Sequence, residues 1–294
     1  MNKRRKKANT DKLYKLFIYV ALITLAISII VPVLWVLFAS IKENSEFYAS
    51  PWTMPKGFYI QNFIDAIEKA RMGEYFINSV IVTTVALVIL LVIAIPAAYV
   101  LARFKFKGRK FINLLLTAGL FINVNYIVVP IFLMLLGWNE RIMKIFDKGI
   151  FLDNIFVLAL VYASTAIPFT IYLVSNFFRS ISKTYEEAAF IDGAGYFRTM
   201  ISIMIPMARP SIITVILFNF LSFWNEYIIA LTLMPGTSKT LPVGLINLMQ
   251  SQRAAASYGQ MYAGLVLVML PTLILYVLVQ KKLTQGMTLG GVKE

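Results

Sequence analysis

The sequence predicts an all-α, polytopic membrane protein with six transmembrane helices, and three observations predict it. Of the 294 residues, 59% are hydrophobic and only 14% charged, whereas a water-soluble domain carries about 25% charged residues. Mean hydropathy is +0.75. The basic residues are also spread unevenly between alternate connecting segments. A lipid bilayer is therefore the expected solvent for most of the chain.

Crossing the hydrocarbon core takes about 20 mainly apolar residues in a helix. Six stretches qualify: 13–41, 75–102, 111–136, 154–178, 211–233 and 259–280. The first follows the basic head 1–12, as a signal peptide would, but it is too long for a signal h-region and lacks a small-residue cleavage site. It reads as a retained anchor. The segment 42–74 reads as an outer loop, turn-rich at Pro51, Trp52, Pro55 and Gly57, with a short amphipathic helix from Gln61 to Gly73. Pro32, Pro96, Pro130, Pro168 and Pro271 lie inside spans. Bundles tolerate such prolines where neighbours satisfy the freed carbonyls, so they are expected to bend helices, with gating hinges as the second reading. Asn123 and Asn125 in the third span are expected to hydrogen-bond between helices.

Sidedness follows from the basic residues. Segments 1–12, 103–110, 179–210 and 281–294 together hold eighteen Lys and Arg, against nine in 42–74, 137–153 and 234–258. The positive-inside bias places both termini, the loop 179–210 and the tail 281–294 in the cytoplasm of a cell membrane. The net charge of +14 thus reports topology and not a nucleic-acid partner. The basic run 103–110 suits contact with anionic membrane lipid.

With no Cys and no His, disulfides, thiolate or imidazole metal sites and His-based triads are excluded. No catalytic constellation stands out, and no enzyme is expected. A P-loop requires Gly-x4-Gly-Lys-Ser/Thr ahead of a helix. The nearest approach is Gly286-x4-Gly291, but Val292 occupies the Lys position and the sequence given stops at Glu294.

The inner loop 179–210 is far longer than a bundle connection needs. Thr184 with Glu187 has the form of a capping box. A short helix is expected over Tyr185 to Asp192, stopped by Gly193. A second, from about Tyr196, puts Phe197, Met200, Ile201 and Met204 on one stripe and is expected to end before Pro206. Two such helices, with small residues at Ala188 and Ala189, make a knob that a partner can approach closely; an interfacial helix pair serving only the bundle is the other reading.

Glu187-Ala188-Ala189, then three residues, Gly193, nine residues, and Ile203-Met204-Ile205-Pro206 resemble the EAA loop of ABC importer permeases, with Ile205 where that pattern has Leu. Residues 74–280 are similar to the type I importer membrane domain. Phe223 to Tyr227, Thr240 to Leu245 and the terminal Gly286-Met287-Thr288-Leu289-Gly290-Gly291 resemble the carbohydrate-uptake, MalG-like branch. The resemblance implies that Glu187, Ala188, Ala189, Gly193, Ile203 and Pro206 dock on a separate ATPase dimer. The tail residues Gly286, Met287, Gly290 and Gly291 would be further candidates for contact with that ATPase. It further implies a second permease subunit, an extracellular solute-binding protein and a carbohydrate substrate. The chain itself would hold no cofactor, with ATP and Mg used by the partner ATPase.

Within the spans one acidic residue stands out, Glu226. Charged groups at membrane depth face a bundle interior or a water-filled path. Asn219, Ser222 and Glu226 follow one helical stripe, with Trp224 and Asn225 beside it, and sugars are bound by hydrogen bonds and aromatic faces. These five residues are the substrate-path candidates; Glu226 reaching an outer aqueous cavity or a neighbouring subunit is the alternative. A permease for another solute and an ion-coupled carrier are the other functional readings.

Overall fold

The computed structural model describes residues 2–146, 149–255 and 257–291, with side chains described over 13–146, 149–251 and 257–280. Every regular element among the described residues is helical, because backbone in hydrocarbon must satisfy its own hydrogen bonds. In chain order these are α1 (Asn2–Ser40), α2 (Asn44–Ala49), α3 (Gln61–Ile67), α4 (Met72–Arg103), α5 (Arg109–Gly119), α6 (Val124–Phe146), α7 (Ile155–Ser180), α8 (Thr184–Ile191), α9 (Tyr196–Thr199), α10 (Ile205–Met207), α11 (Arg209–Trp224), α12 (Ile228–Leu233), α13 (Leu241–Ala255) and α14 (Tyr258–Gly291). A wide π-helical stretch, Met200–Met204, joins α9 to α10.

Five helices are long and apolar enough to span a bilayer: Leu13–Ser40, Met72–Arg103, Val124–Phe146, Ile155–Ser180 and Tyr258–Gln280. A sixth candidate is the pair Tyr196–Met207 and Arg209–Trp224, bent by 73°. Two expected spans are therefore interrupted. The third, 111–136, is split between α5 and α6 at Leu120 to Asn123, where the Asn123 side chain accepts from the Asn125 amide (2.9 Å), capping α6 where a bond to another helix was expected. α6 also continues through Trp138 and Asn139 to Phe146, into the expected loop 137–153. The fifth, 211–233, stops at Trp224 and resumes as α12. The outer helix expected from Gln61 to Gly73 ends at Ile67, and the second span opens at Met72 after Arg71 in the left-handed region. Pro32, Pro96, Pro130, Pro168 and Pro271 all lie inside helices, and none of them ends one. The sharp bend falls instead at Ala208, just ahead of Pro210 in the first turn of α11.

The chain packs as two units, residues 1–70 with 248–267 and residues 71–247 with 268–294. In the first, Asn62 is buried and its Nδ2 donates to Ser40 O (2.9 Å) and Lys42 O (2.8 Å), closing the loop after α1. Lys42 is buried with its Nζ on Pro51 O (2.9 Å). Gln260 Nε2 donates to Asp65 O (2.9 Å), and Tyr262 packs on the rings of Trp35 and Phe47.

The second unit is organised by α4 and α7, its most extensive helix pair. Ala86, Ala94 and Ala98 on α4 and Ala159 and Ala163 on α7 are fully or almost fully buried. Small residues of this kind let backbones approach in lipid, where apolar association has little driving force of its own. Asn154 caps α7, its Oδ1 accepting from Phe156 N (2.9 Å) and Val157 N (3.3 Å). α5 lies against α7 at Gly119, where a Cβ would sit 2.9 Å from Pro168 Cγ. α13 is fastened to α4 by Ser79 Oγ accepting from Leu241 N (2.7 Å), and its Gly244 faces the Tyr75 ring so closely that a Cβ would collide with it.

Gly244→Ala is thus expected to lower stability by about 1–3 kcal/mol through overpacking, read as a lower melting temperature in detergent. Gly137→Ala, in α6 with open space around it, should instead raise stability by about 0.5–1 kcal/mol. Equal shifts for the two variants would refute the packing explanation.

Candidate functional site

Two regions of the second unit carry the residues singled out by sequence. The first is the knob built from α8, α9 and the π turn. α8 begins at Thr184, but Thr184 and Glu187 do not form the expected capping box. The N-cap position is Lys183, with no side-chain cap; the Thr184 hydroxyl lies 2.9 Å from Ser182 Oγ, which also accepts from the Thr184 amide (3.3 Å). The C-terminal end follows expectation closely. Gly193 has φ +78°, with Gly193 N on Phe190 O (3.1 Å) and Ala194 N on Ala189 O (2.9 Å), the paired closure that a left-handed glycine permits.

The EAA residues divide by face. Glu187, Ala188 and Gly193 are exposed, Ala189 is buried, Ile203 is half-buried and Pro206 exposed. The second helix does not end before Pro206 but continues to Met207. Met200 and Met204, four apart, both turn inward, while Phe197 and Ile201 stay exposed. The predicted stripe is therefore split. The tail residues Gly286, Met287, Gly290 and Gly291 fall outside the described side chains, though the α14 backbone is helical through Gly291.

Sequence reasoning missed the residue that seats the knob. Glu186 is 8% exposed. Its Oε1 accepts from the Tyr99 hydroxyl (2.8 Å), and its Oε2 lies 3.2 Å from Arg103 Nε. Arg103 Nη2 donates in turn to Ile181 O (2.8 Å). The ion pair is almost wholly enclosed, with 6% and 11% of the two side chains accessible, so losing one partner would leave a buried charge at a cost of about 3–5 kcal/mol. Aromatic contacts continue the seat: Tyr99 meets Phe178 and Phe104, and Tyr196 meets Phe104 and Phe190, all edge to face. In the sequence Arg103 opens the basic run 103–110 and is indistinguishable there from a loop charge. The available signal was a second glutamate directly before the motif.

The second region is a cavity of about 370 Å³. α7 contributes Tyr162, Thr165, Ala166 and Phe169 at helical spacing, and α11 contributes Phe218, Asn219 and Ser222 from the facing wall, with Asn125 at the α6 end. The expected stripe Asn219, Ser222 and Glu226 does border this space. Trp224 and Asn225 do not. Successive residues turn by about 100° on a helix, which carries Trp224 to the opposite side of α11. There it is buried, donating Nε1–H to Val268 O (3.0 Å) and packed on Phe76 and Phe220. Asn225 is exposed at the end of α11, with Nδ2 on Leu221 O (2.8 Å).

Glu226 stands in the break, not on a continuous helix. Its two oxygens accept from Ile229 N (2.8 Å) and Ala230 N (3.1 Å), so the carboxylate caps α12. Oε2 also accepts from the Tyr162 hydroxyl (2.8 Å), and Phe223 stacks on the Tyr162 ring at 5.5 Å. Asn219 is turned partly away from the cavity, with Nδ2 on Thr170 Oγ1 (3.0 Å) and Val215 O (2.7 Å). The cavity thus offers Ser222, Thr165 and Asn125 as polar groups and Phe169 and Phe218 as aromatic faces, a lining able to hold a polyhydroxylated solute.

The helical layout is that of a multi-pass membrane protein. The sequence agrees: residues 91–288 match the family described as "Binding-protein-dependent transport system inner membrane component", and the chain belongs to that family, one of transporters and not of enzymes. It is 34% identical to the diacetylchitobiose uptake system permease protein NgcG of Streptomyces coelicolor, over 97% of this chain and 91% of that protein. It is 28% identical to the sulfoquinovosyl glycerol transport system permease protein SmoH of Agrobacterium fabrum, over 94% of this chain and 93% of that one. The fold is shared with a chain of a bacterial ABC transporter involved in import of the acidic polysaccharide alginate, with TM-score 0.77, 24% identity and coverage of 92% of this chain and 97% of that chain.

Glu226→Ala removes the acceptor for three donors and is expected to cost about 1–3 kcal/mol, whereas Tyr162→Phe, which removes a single donor hydroxyl, should cost about 0.5–1.5 kcal/mol. Thermal unfolding of the solubilised protein separates the two. A Glu226→Ala variant as stable as the parent would show that the carboxylate does not hold the break.

Proposed function

We propose that this permease imports a carbohydrate or oligosaccharide, that it forms the path with a second permease subunit, and that the α8–α9 knob docks on a separate ATPase. The observation that carries the reading is the outward face of the knob. Tyr185, Ala188, Ile191 and Phe197 present an exposed, largely apolar patch with Glu187 at its edge, on a motif that resembles the EAA loop. Small Ala188 permits close approach, and an exposed apolar patch on an otherwise seated element suits a protein partner. ATP is hydrolysed by that partner with the help of Mg, and its closure pushes on the knob.

The carbohydrate is supported by the names of the relatives and by the cavity chemistry. The excess of Lys and Arg in alternate segments supports cytoplasmic termini and a cytoplasmic knob in a cell membrane. The opposite end of the unit, where the solute would arrive from an extracellular binding protein, then carries the cavity. Glu226 is the acidic group an ion-coupled carrier would use, but its oxygens are engaged in capping α12 and holding Tyr162, so no observation favours that alternative.

In vesicles, the chain alone is expected to transport nothing; uptake of labelled oligosaccharide should require the second permease, the ATPase and a binding protein together. Glu187→Lys and Gly193→Pro should each abolish co-purification of the ATPase while membrane insertion stays normal. Normal transport by both variants would refute docking through the knob.

A further inference from the structure

The inference concerns how a push on α8 reaches the spans, and it rests on the docking reading just given. α8 is an eight-residue helix joined to α7 through Ile181, whose backbone is extended. A short helix on an extended connector would swing about that connector when pushed, and a motor's stroke would be lost in local bending. Here three groups close the hinge. Arg103, the last residue of α4, uses one guanidinium for two tasks: Nη2 holds the carbonyl of Ile181, the hinge residue itself, and Nε faces Glu186 Oε2 at 3.2 Å. Tyr99 lies one turn earlier on α4 and takes the other carboxylate oxygen at 2.8 Å. The cluster is almost wholly enclosed, and an ion pair held in such low-dielectric surroundings is costly to part because each charge would be left buried without its partner.

We propose that Glu186, Arg103 and Tyr99 are positioning residues that make α8 move as one body with α4 and the end of α7. The two adjacent glutamates then have opposite assignments. Glu186 is spent inside the chain, and Glu187, exposed one residue later, is left for the partner.

Two measurements on the assembled transporter in lipid nanodiscs and vesicles test this. In Glu186→Gln and Tyr99→Phe the ATPase should still co-purify and hydrolyse ATP. Solute moved per ATP should fall about tenfold in Glu186→Gln, the scale of a discrete coupling free energy, and less in Tyr99→Phe. The exchanged pair Arg103→Glu with Glu186→Arg should recover part of the ratio. Because the sequence has no cysteine, Lys107→Cys and Asp192→Cys give this chain two spin-label sites, measured with any cysteines of the other subunits replaced. Their distance distribution should be narrow, broaden with Glu186→Gln and narrow again in the exchanged pair. An unchanged ratio together with an unchanged distribution would overturn the proposal. So would loss of ATPase association in Glu186→Gln without recovery in the exchanged pair. If the unaltered chain itself does not retain the ATPase, the docking reading fails, and the spin-label distances still decide whether the three groups fix α8.

Discussion

The close seam between α4 and α7 is the constraint on which the rest of the second unit depends. In lipid, two apolar helices gain little by leaving the solvent for each other, so their association rests on fit, and fit rests on small side chains. Ala86, Ala94 and Ala98 on α4 and Ala159 and Ala163 on α7, all buried, supply it. Of these two rods, α7 runs through both functional regions. Tyr162, on the first half of α7, forms one wall of the cavity, and Phe178, near its end, lies under Tyr99 and the knob. Sixteen residues separate them, roughly 24 Å along the axis. A displacement at one end of α7 therefore has a stiff element to carry it to the other.

The interruptions matter as much as the rods. Non-helical backbone is tolerated at membrane depth where it lines a cavity or is satisfied by protein. The break after Trp224 meets both conditions: it borders the cavity, and Glu226 satisfies the amides of Ile229 and Ala230 in the first turn of α12. A carboxylate that would be costly as an isolated charge thus becomes the group that permits the chain to bend there. This gives Glu226 a structural task next to any solute, and it shifts attention to Ser222, Thr165 and Asn125 as the polar groups left facing open space.

Much of the helical inventory was legible in one dimension. Hydropathy located the long apolar stretches because a span must be apolar over its whole length. Gly193 marked the end of α8 because only a residue without Cβ enters the left-handed region cheaply. The break points were less legible. In the apolar run 111–136 only Gly119 and Asn123 mark the break between α5 and α6, and in sequence a capping Asn looks the same as one that bonds to another helix. The expected capping box at Thr184 failed because Ser182, two residues earlier, engages both the hydroxyl and the amide of Thr184.

By itself the sequence determined that the chain is a helical membrane protein, where its long spans lie, and that residues 184–206 form a two-helix knob resembling an EAA loop. These are local properties, set by hydropathy, caps and spacing within a few turns. Tertiary structure decided which of two neighbouring glutamates turns inward, that Tyr162 meets Glu226, and that Trp224 packs in the core and not in the cavity. Those pairings join residues 87 positions apart for Tyr99 and Glu186, 64 for Tyr162 and Glu226, and 44 for Trp224 and Val268. Only the rotation of each packed helix about its axis selects such partners, and no periodicity along a single helix records that rotation.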